Sequence, residues 1–132
     1  MPSIFTKIIQ GEIPCHKVAE DEHYFAFLDI RPLKRGHTLV IPKKEVDYLF
    51  DLDEETYLGL HRFARRVALG LEKAVPCTRI ATAVLGLEVP HAHVHLVPIE
   101  QESDLRFSNP RVELSQEEFA ETARQIREAI SD

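Results

Sequence analysis

The chain has 132 residues, 44% of them hydrophobic and 29% charged, which is enough apolar material for a packed core and excludes a disordered or fibrous chain. A net charge of −6 argues against general binding to nucleic acid or to an anionic membrane, and no run of roughly 18 apolar residues is present to span a bilayer. Met1–Lys7 lacks the layout of a secretory signal, and Cys15 and Cys77 do not make a disulfide framework, so two free thiols in the cytoplasm are expected.

In chain order, Phe5–Ile9 reads as a short helical turn ended by Gly11 and Pro14. Lys17–Glu20 and His23–Leu28 flank Asp21-Glu22 and read as a hairpin. Arg31-Pro32 and Arg35-Gly36 punctuate a loop, and the β-branched, apolar run His37–Ile41 is a strand closed by Pro42. Asp51 or Asp53 can cap a long helix that runs to about Ala74, because Leu58, Phe63, Val67 and Leu71 recur near the helical period and Pro76 cannot continue it. Arg79–Val84 and Val89–Ile99 are strand candidates, the second restricted at its start by Pro90. Glu100–Arg111 reads as a polar loop carrying Asn109-Pro110. Ser115 and Glu118 fit a capping box, opening a helix to Ile130 whose apolar stripe is Phe119, Ala123, Ile126 and Ile130. Strands and helices do not alternate regularly. The expected fold is therefore α+β, a largely antiparallel five-stranded sheet with a long central helix and a C-terminal helix.

The unusual feature is His91-Ala92-His93-Val94-His95-Leu96-Val97. On a strand the three imidazoles share one face, at steps of roughly 6.6 Å, while Ala92, Val94 and Leu96 point into the core. Three readings of this row compete. It can be a set of solvated or structurally satisfied histidines. It can hold a metal, with His37 as a further ligand, since imidazole suits zinc. It can support covalent catalysis, because a neutral imidazole is a nucleophile near neutral pH and a neighbouring one can move a proton.

The segment resembles the histidine-triad (HIT) family motif, His-φ-His-φ-His-φ-φ with φ apolar, at all seven positions. Ser3–Ile9, Gly11–Pro14, Ala26–Ile30 and Gly36–Lys44 are similar, in the same order, to the Hint-type branch of that family, so the resemblance covers about residues 3–99 of one domain spanning 1–132. It implies a nucleotide-binding hydrolase acting at the α-phosphorus of nucleoside 5′-phosphoramidates, or of related nucleotides, through a nucleotidyl-histidine. His93 falls at the nucleophile's position. His91, His95 and His37 fall at supporting catalytic positions, and Asp29 at the ribose-binding acid. Ile4, Phe5, Ile8, Phe27, Ile30 and Leu39 correspond to base-pocket positions, and Gly86 and Val89 to the segment ahead of the histidines. The implied ligand is an AMP-like purine nucleotide, with no cofactor. The implied assembly is a homodimer joined through sheet edges and the long helices. A non-catalytic nucleotide-binding or interaction protein on the same fold is the alternative.

Three departures qualify the resemblance. Leu87 replaces a Gln, Glu88 stands where Ser is frequent, and Arg79–Leu85 holds no Asn, so usual phosphate and leaving-group contacts are missing. Glu88 would repel a phosphate unless it points to solvent. Some bacterial members bind structural zinc through two N-terminal cysteines and histidines. Ser3 and Thr6 occupy those positions here, so no intrinsic metal is expected.

Overall fold

The structure is a computed structural model that describes residues 2–130. A short helix α1 (Ile4–Ile9) precedes three strands, β1 (Lys17–Glu20), β2 (Tyr24–Leu28) and β3 (Thr38–Pro42). The long helix α2 (Glu54–Ala74), strands β4 (Arg79–Ala83) and β5 (Val94–Ile99), and helix α3 (Gln116–Ala129) follow. The sheet order is β1-β2-β3-β5-β4, and every neighbouring pair is antiparallel. The fold is thus the α+β arrangement expected from the strand and helix pattern.

Local chemistry accounts for the element ends. Asp21 Oδ1 accepts from the backbone N–H groups of His23 and Tyr24, which tightens the β1–β2 turn. Asp53, rather than Asp51, caps α2 by accepting from Thr56 N. Ser115 and Glu118 form the expected capping box at the start of α3. Ser3 caps α1, a role its position at the chain's start did not advertise.

Alternation then divides the sheet into two apolar faces. Ala26, Leu28, Val40, Val94 and Leu96 face α2 and α3, where they meet Leu60, Phe63, Val67, Leu71, Phe119 and Ile126 in the main core. Each fully buried Val, Leu or Ile side chain there contributes roughly 1.5–3 kcal/mol. Phe25, Phe27, Leu39 and Ile41 face the other way and pack with Phe5 of α1. In the β3–β5 ladder His95 lies opposite Leu39, so it belongs to this second face.

One strand is shorter than its sequence suggests: the run Val89–Ile99 enters the ladder only at Val94. Pro90 offers no N–H, and β4 ends at Ala83, opposite His95, so residues 89–93 have no strand beside them on that side. Instead His91 N donates to Val89 O, and Ala92 N to Val46 O, which bends the chain into the sheet. No helix among the described residues is long and apolar enough to cross a membrane.

Candidate active site

Gly36 begins the site. Its φ of +94° is a left-handed conformation suited to glycine, and a Cβ there would lie 2.9 Å from Leu71 Cδ1. This turn delivers His37 to the start of β3 with its ring buried. Leu33 N donates to His37 Nδ1 at 3.0 Å, so the neutral ring carries its proton on Nε2. That Nε2 is 3.0 Å from His95 Nδ1 and donates to it, which places the proton of neutral His95 on Nε2. Burial, followed by the neighbouring His95, lowers His37 from 6.5 to about 3. Burial, followed by the neighbouring His93, lowers His95 to about 4. Both rings are therefore neutral near pH 7, with one tautomer written by a single backbone N–H.

His93 is held differently. Its Nδ1 donates to the carbonyl of His91 at 2.7 Å, since a carbonyl can only accept. This leaves the Nε2 lone pair of the neutral ring available. The ring packs edge-on against Phe5 and His95, with centroids 5.0 Å away in each case.

His91 sits apart from that pair, wholly buried. Its Nε2 donates to Pro42 O at 2.8 Å, and its Nδ1 accepts from Ser3 Oγ at 2.8 Å. Ser3 Oγ in turn accepts from Thr6 N, while Glu45 Oε1 accepts from Ser3 N and Thr6 Oγ1, each at 2.6 Å. The two hydroxyls at the positions of family zinc cysteines are thus engaged in hydrogen bonds. Neither is a soft ligand, so the cluster does not fit structural zinc. Asp29, His37 and His95 do bring ligand atoms within 4.8 Å of one another. His37 Nε2 and His95 Nδ1, however, are already joined to each other by a hydrogen bond.

A cavity of about 360 Å³ opens beside these rings, within the range of about 300–1,000 Å³ common for small-molecule sites. His93, His95, Asp29, Phe5, Leu39, Gly86 and Val89 line it, all named from the sequence. Asp29 Oδ1 accepts from Arg31 N at 2.8 Å and Oδ2 lies 3.7 Å from His37 Nε2. Burial raises its pKa, with the Arg31 N–H bond opposing that shift.

The other expected residues do not reach the cavity wall. His37 and His91 are not among the lining residues and are hydrogen-bonded to His95 and His93 respectively. Ile8 and Phe27 lie behind it in the second apolar cluster, because alternation and the turn of α1 direct them into packing. Ile30 is 69% exposed and outside the lining, because Asp29 and Arg31 turn the backbone away at that point. Ile4, at 51% exposed, is likewise outside it. Glu88 is both exposed and part of the lining, so its carboxylate sits at the rim.

Sequence reasoning missed Arg31, Phe107 and Arg111, which also line the cavity. The two later residues belong to the supposed polar loop. There Asp104 is 9% exposed and closes a short 3-10 turn, Glu102–Leu105. An aromatic residue within an otherwise polar stretch was the available signal.

Comparison with known proteins bears on the family and the fold. The family profile described as "HIT domain" matches residues 10–102. An uncharacterised HIT-like protein from Borreliella burgdorferi is 34% identical over 131 residues, covering 93% of this chain and 94% of that protein. Among solved structures, a Hit-like protein from Bartonella henselae, described as involved in cell-cycle regulation, superposes with a TM-score of 0.84 at 34% identity, covering 97% of this chain and 96% of that one. A hypothetical histidine triad nucleotide-binding protein from Sulfolobus tokodaii gives 0.81 at 32% identity, covering 95% and 89%. With its histidine row, its antiparallel sheet and these relatives in agreement, the chain belongs to the HIT family.

Proposed function

We propose that this protein is a nucleotide hydrolase that acts at the α-phosphorus of nucleoside 5′-phosphoramidates or related nucleotides, with His93 as nucleophile. The observation that carries the reading is the anchoring of His93 Nδ1 on the His91 carbonyl, which presents a free Nε2 beside the cavity. Nε2 attacks phosphorus, an N–P bond forms, and the bond to the leaving amine breaks. The amine departs after taking up a proton from solvent, and the water that attacks in the second step gives one back. Water then releases the nucleoside monophosphate and restores the ring. His95 Nε2–H is a neutral donor for a phosphate oxygen, oriented in advance by His37 and Leu33. Asp29 supplies a carboxylate for the ribose hydroxyls, and Phe5, Leu39 and Val89 supply apolar surface for a base.

One observation favours a second reading, a nucleotide-binding protein without turnover. Leu87, where a Gln would contact phosphate, is 90% exposed at the rim, and Glu88 beside it is acidic. The deciding experiment is incubation with an adenosine 5′-phosphoramidate, followed by mass spectrometry of the quenched protein. A nucleotidyl adduct on His93 supports hydrolysis, whereas AMP binding with neither adduct nor turnover supports the second reading. Turnover that survives EDTA removes the metal-dependent alternative.

The same reading places the protein in the cytoplasm, consistent with its free Cys15 and Cys77. It also makes the protein a homodimer. The open edge strand β4 and the exposed Leu58 and Leu69 of α2 are the surfaces a second copy would cover. A monomer mass in light scattering at micromolar concentration would overturn that assembly.

A further inference from the structure

The family match ends at residue 102, yet Phe107 and Arg111 line the cavity. After β5 the chain enters its 3-10 turn, where Asp104 Oδ2 accepts from Glu100 N and Gln101 N while Oδ1 pairs with Lys34 Nζ at 3.2 Å. The turn sends the following segment back over the two joined imidazoles. Phe107 meets His95 edge-on with centroids 4.7 Å apart, and lies 6.2 Å from His37. Arg111 then ties this segment to the loop ahead of β3. Its Nη1 donates to Arg31 O at 2.6 Å and its Nη2 to Phe107 O at 3.2 Å, while Val112 N donates to Pro32 O at 2.9 Å.

The chemistry of Arg111 is the informative part. It is half-buried, and among the described residues it pairs with no carboxylate. Its two acceptors are uncharged carbonyls, so donors remain on the fork, and its charge reaches across the cavity to Asp29, whose burial-raised pKa it lowers, and to His37 and His95. The other charged groups of the cavity suit an anion poorly. Asp29 and Glu88 are acidic, His95 is neutral, and Arg31 stands exposed at the mouth. A phosphate entering beside His93 would otherwise meet an acidic rim with Leu87 in place of a Gln.

We infer that Arg111 binds the phosphate of the nucleotide substrate, which makes segment 102–112 a working part of the site. Phe107 is a positioning residue in this arrangement. It walls the His37–His95 pair from solvent and supplies one of the two carbonyls that aim the guanidinium. The inference rests on the nucleotide reading above and deepens it, by naming the cation that holds a phosphate where neither the Leu87 nor the Glu88 side chain can donate to one.

The test measures AMP and adenosine binding by calorimetry on the full chain, comparing the parent with Arg111→Gln and Arg111→Lys. Arg111→Gln should weaken AMP binding about tenfold or more and leave adenosine within about twofold, as expected for loss of one charge-assisted contact. Arg111→Lys should bind AMP with intermediate affinity, because the charge stays while the two-carbonyl tether is removed. If Arg111→Gln binds AMP as the parent does, or weakens AMP and adenosine alike, Arg111 only holds the loops together and the inference fails. A parent that binds AMP no better than adenosine also overturns it, while leaving a nucleoside site. A parent that binds neither removes the nucleotide reading itself.

Discussion

His91 and His93 stand two residues apart in one motif and do opposite things. His91 has both ring nitrogens bonded and no exposed surface. His93 has one nitrogen tied to the His91 carbonyl and the other left open at a cavity. Identical side chains at regular spacing are therefore separated by how many of their hydrogen bonds the fold has already claimed. A satisfied imidazole is a strut, and a half-satisfied one keeps a nitrogen free for a ligand.

Substitution should separate the two most sharply in turnover. If His93 is the nucleophile as proposed, replacing it by Ala should lower phosphoramidate hydrolysis by about a thousandfold or more while AMP remains bound, since the attacking group and not the pocket is removed. Steady-state rates beside calorimetry check this, and unchanged rates would end the covalent mechanism. His91→Ala should act first on stability. It removes a buried, doubly bonded ring and takes one hydrogen-bond partner each from Ser3 Oγ and Pro42 O, at a cost of about 2–4 kcal/mol in urea unfolding. His93→Ala, facing the cavity, should lose clearly less.

Acid offers a gentler probe of the second pair. His37 and His95 titrate at about 3 and about 4 in the fold, against 6.5 ordinarily. Between pH 6.5 and 4 the unfolded chain takes up protons that these folded rings refuse, so stability is full above 6.5 and falls as pH drops through that window. Asp29, raised by burial, contributes in the opposite direction. His37→Asn with His95→Asn should flatten the loss between about pH 7 and about pH 5, read as the shift of the urea midpoint. An unchanged slope would show that other groups govern it. The smallest expected effect is at the rim. Leu87→Gln should raise turnover a fewfold by adding one phosphate contact, at roughly neutral cost in stability because Leu87 is exposed.

Much of the fold was readable in advance. The sheet strands, the long helix and the capping box of α3 follow from short-range rules of period and cap, and those rules act within a few residues. The histidine row was readable as a chemical oddity for the same reason. The length of β5 was not, because a strand needs a neighbour and β4 ends at Ala83. The base-pocket positions divided similarly. Phe5 and Leu39 line the cavity, while Phe27 packs behind it and Ile30 faces outward.

The sequence by itself determined the alternating faces of the sheet, the helix boundaries and the concentration of imidazole at one strand entry, since each depends on spacing along the chain. The tertiary structure decided which imidazole is a strut, which proton sits on which nitrogen, and that Arg111 crosses 80 positions to bond the carbonyl of Arg31. Those outcomes depend on which distant backbone groups arrive beside a side chain, and local periodicity carries no record of that.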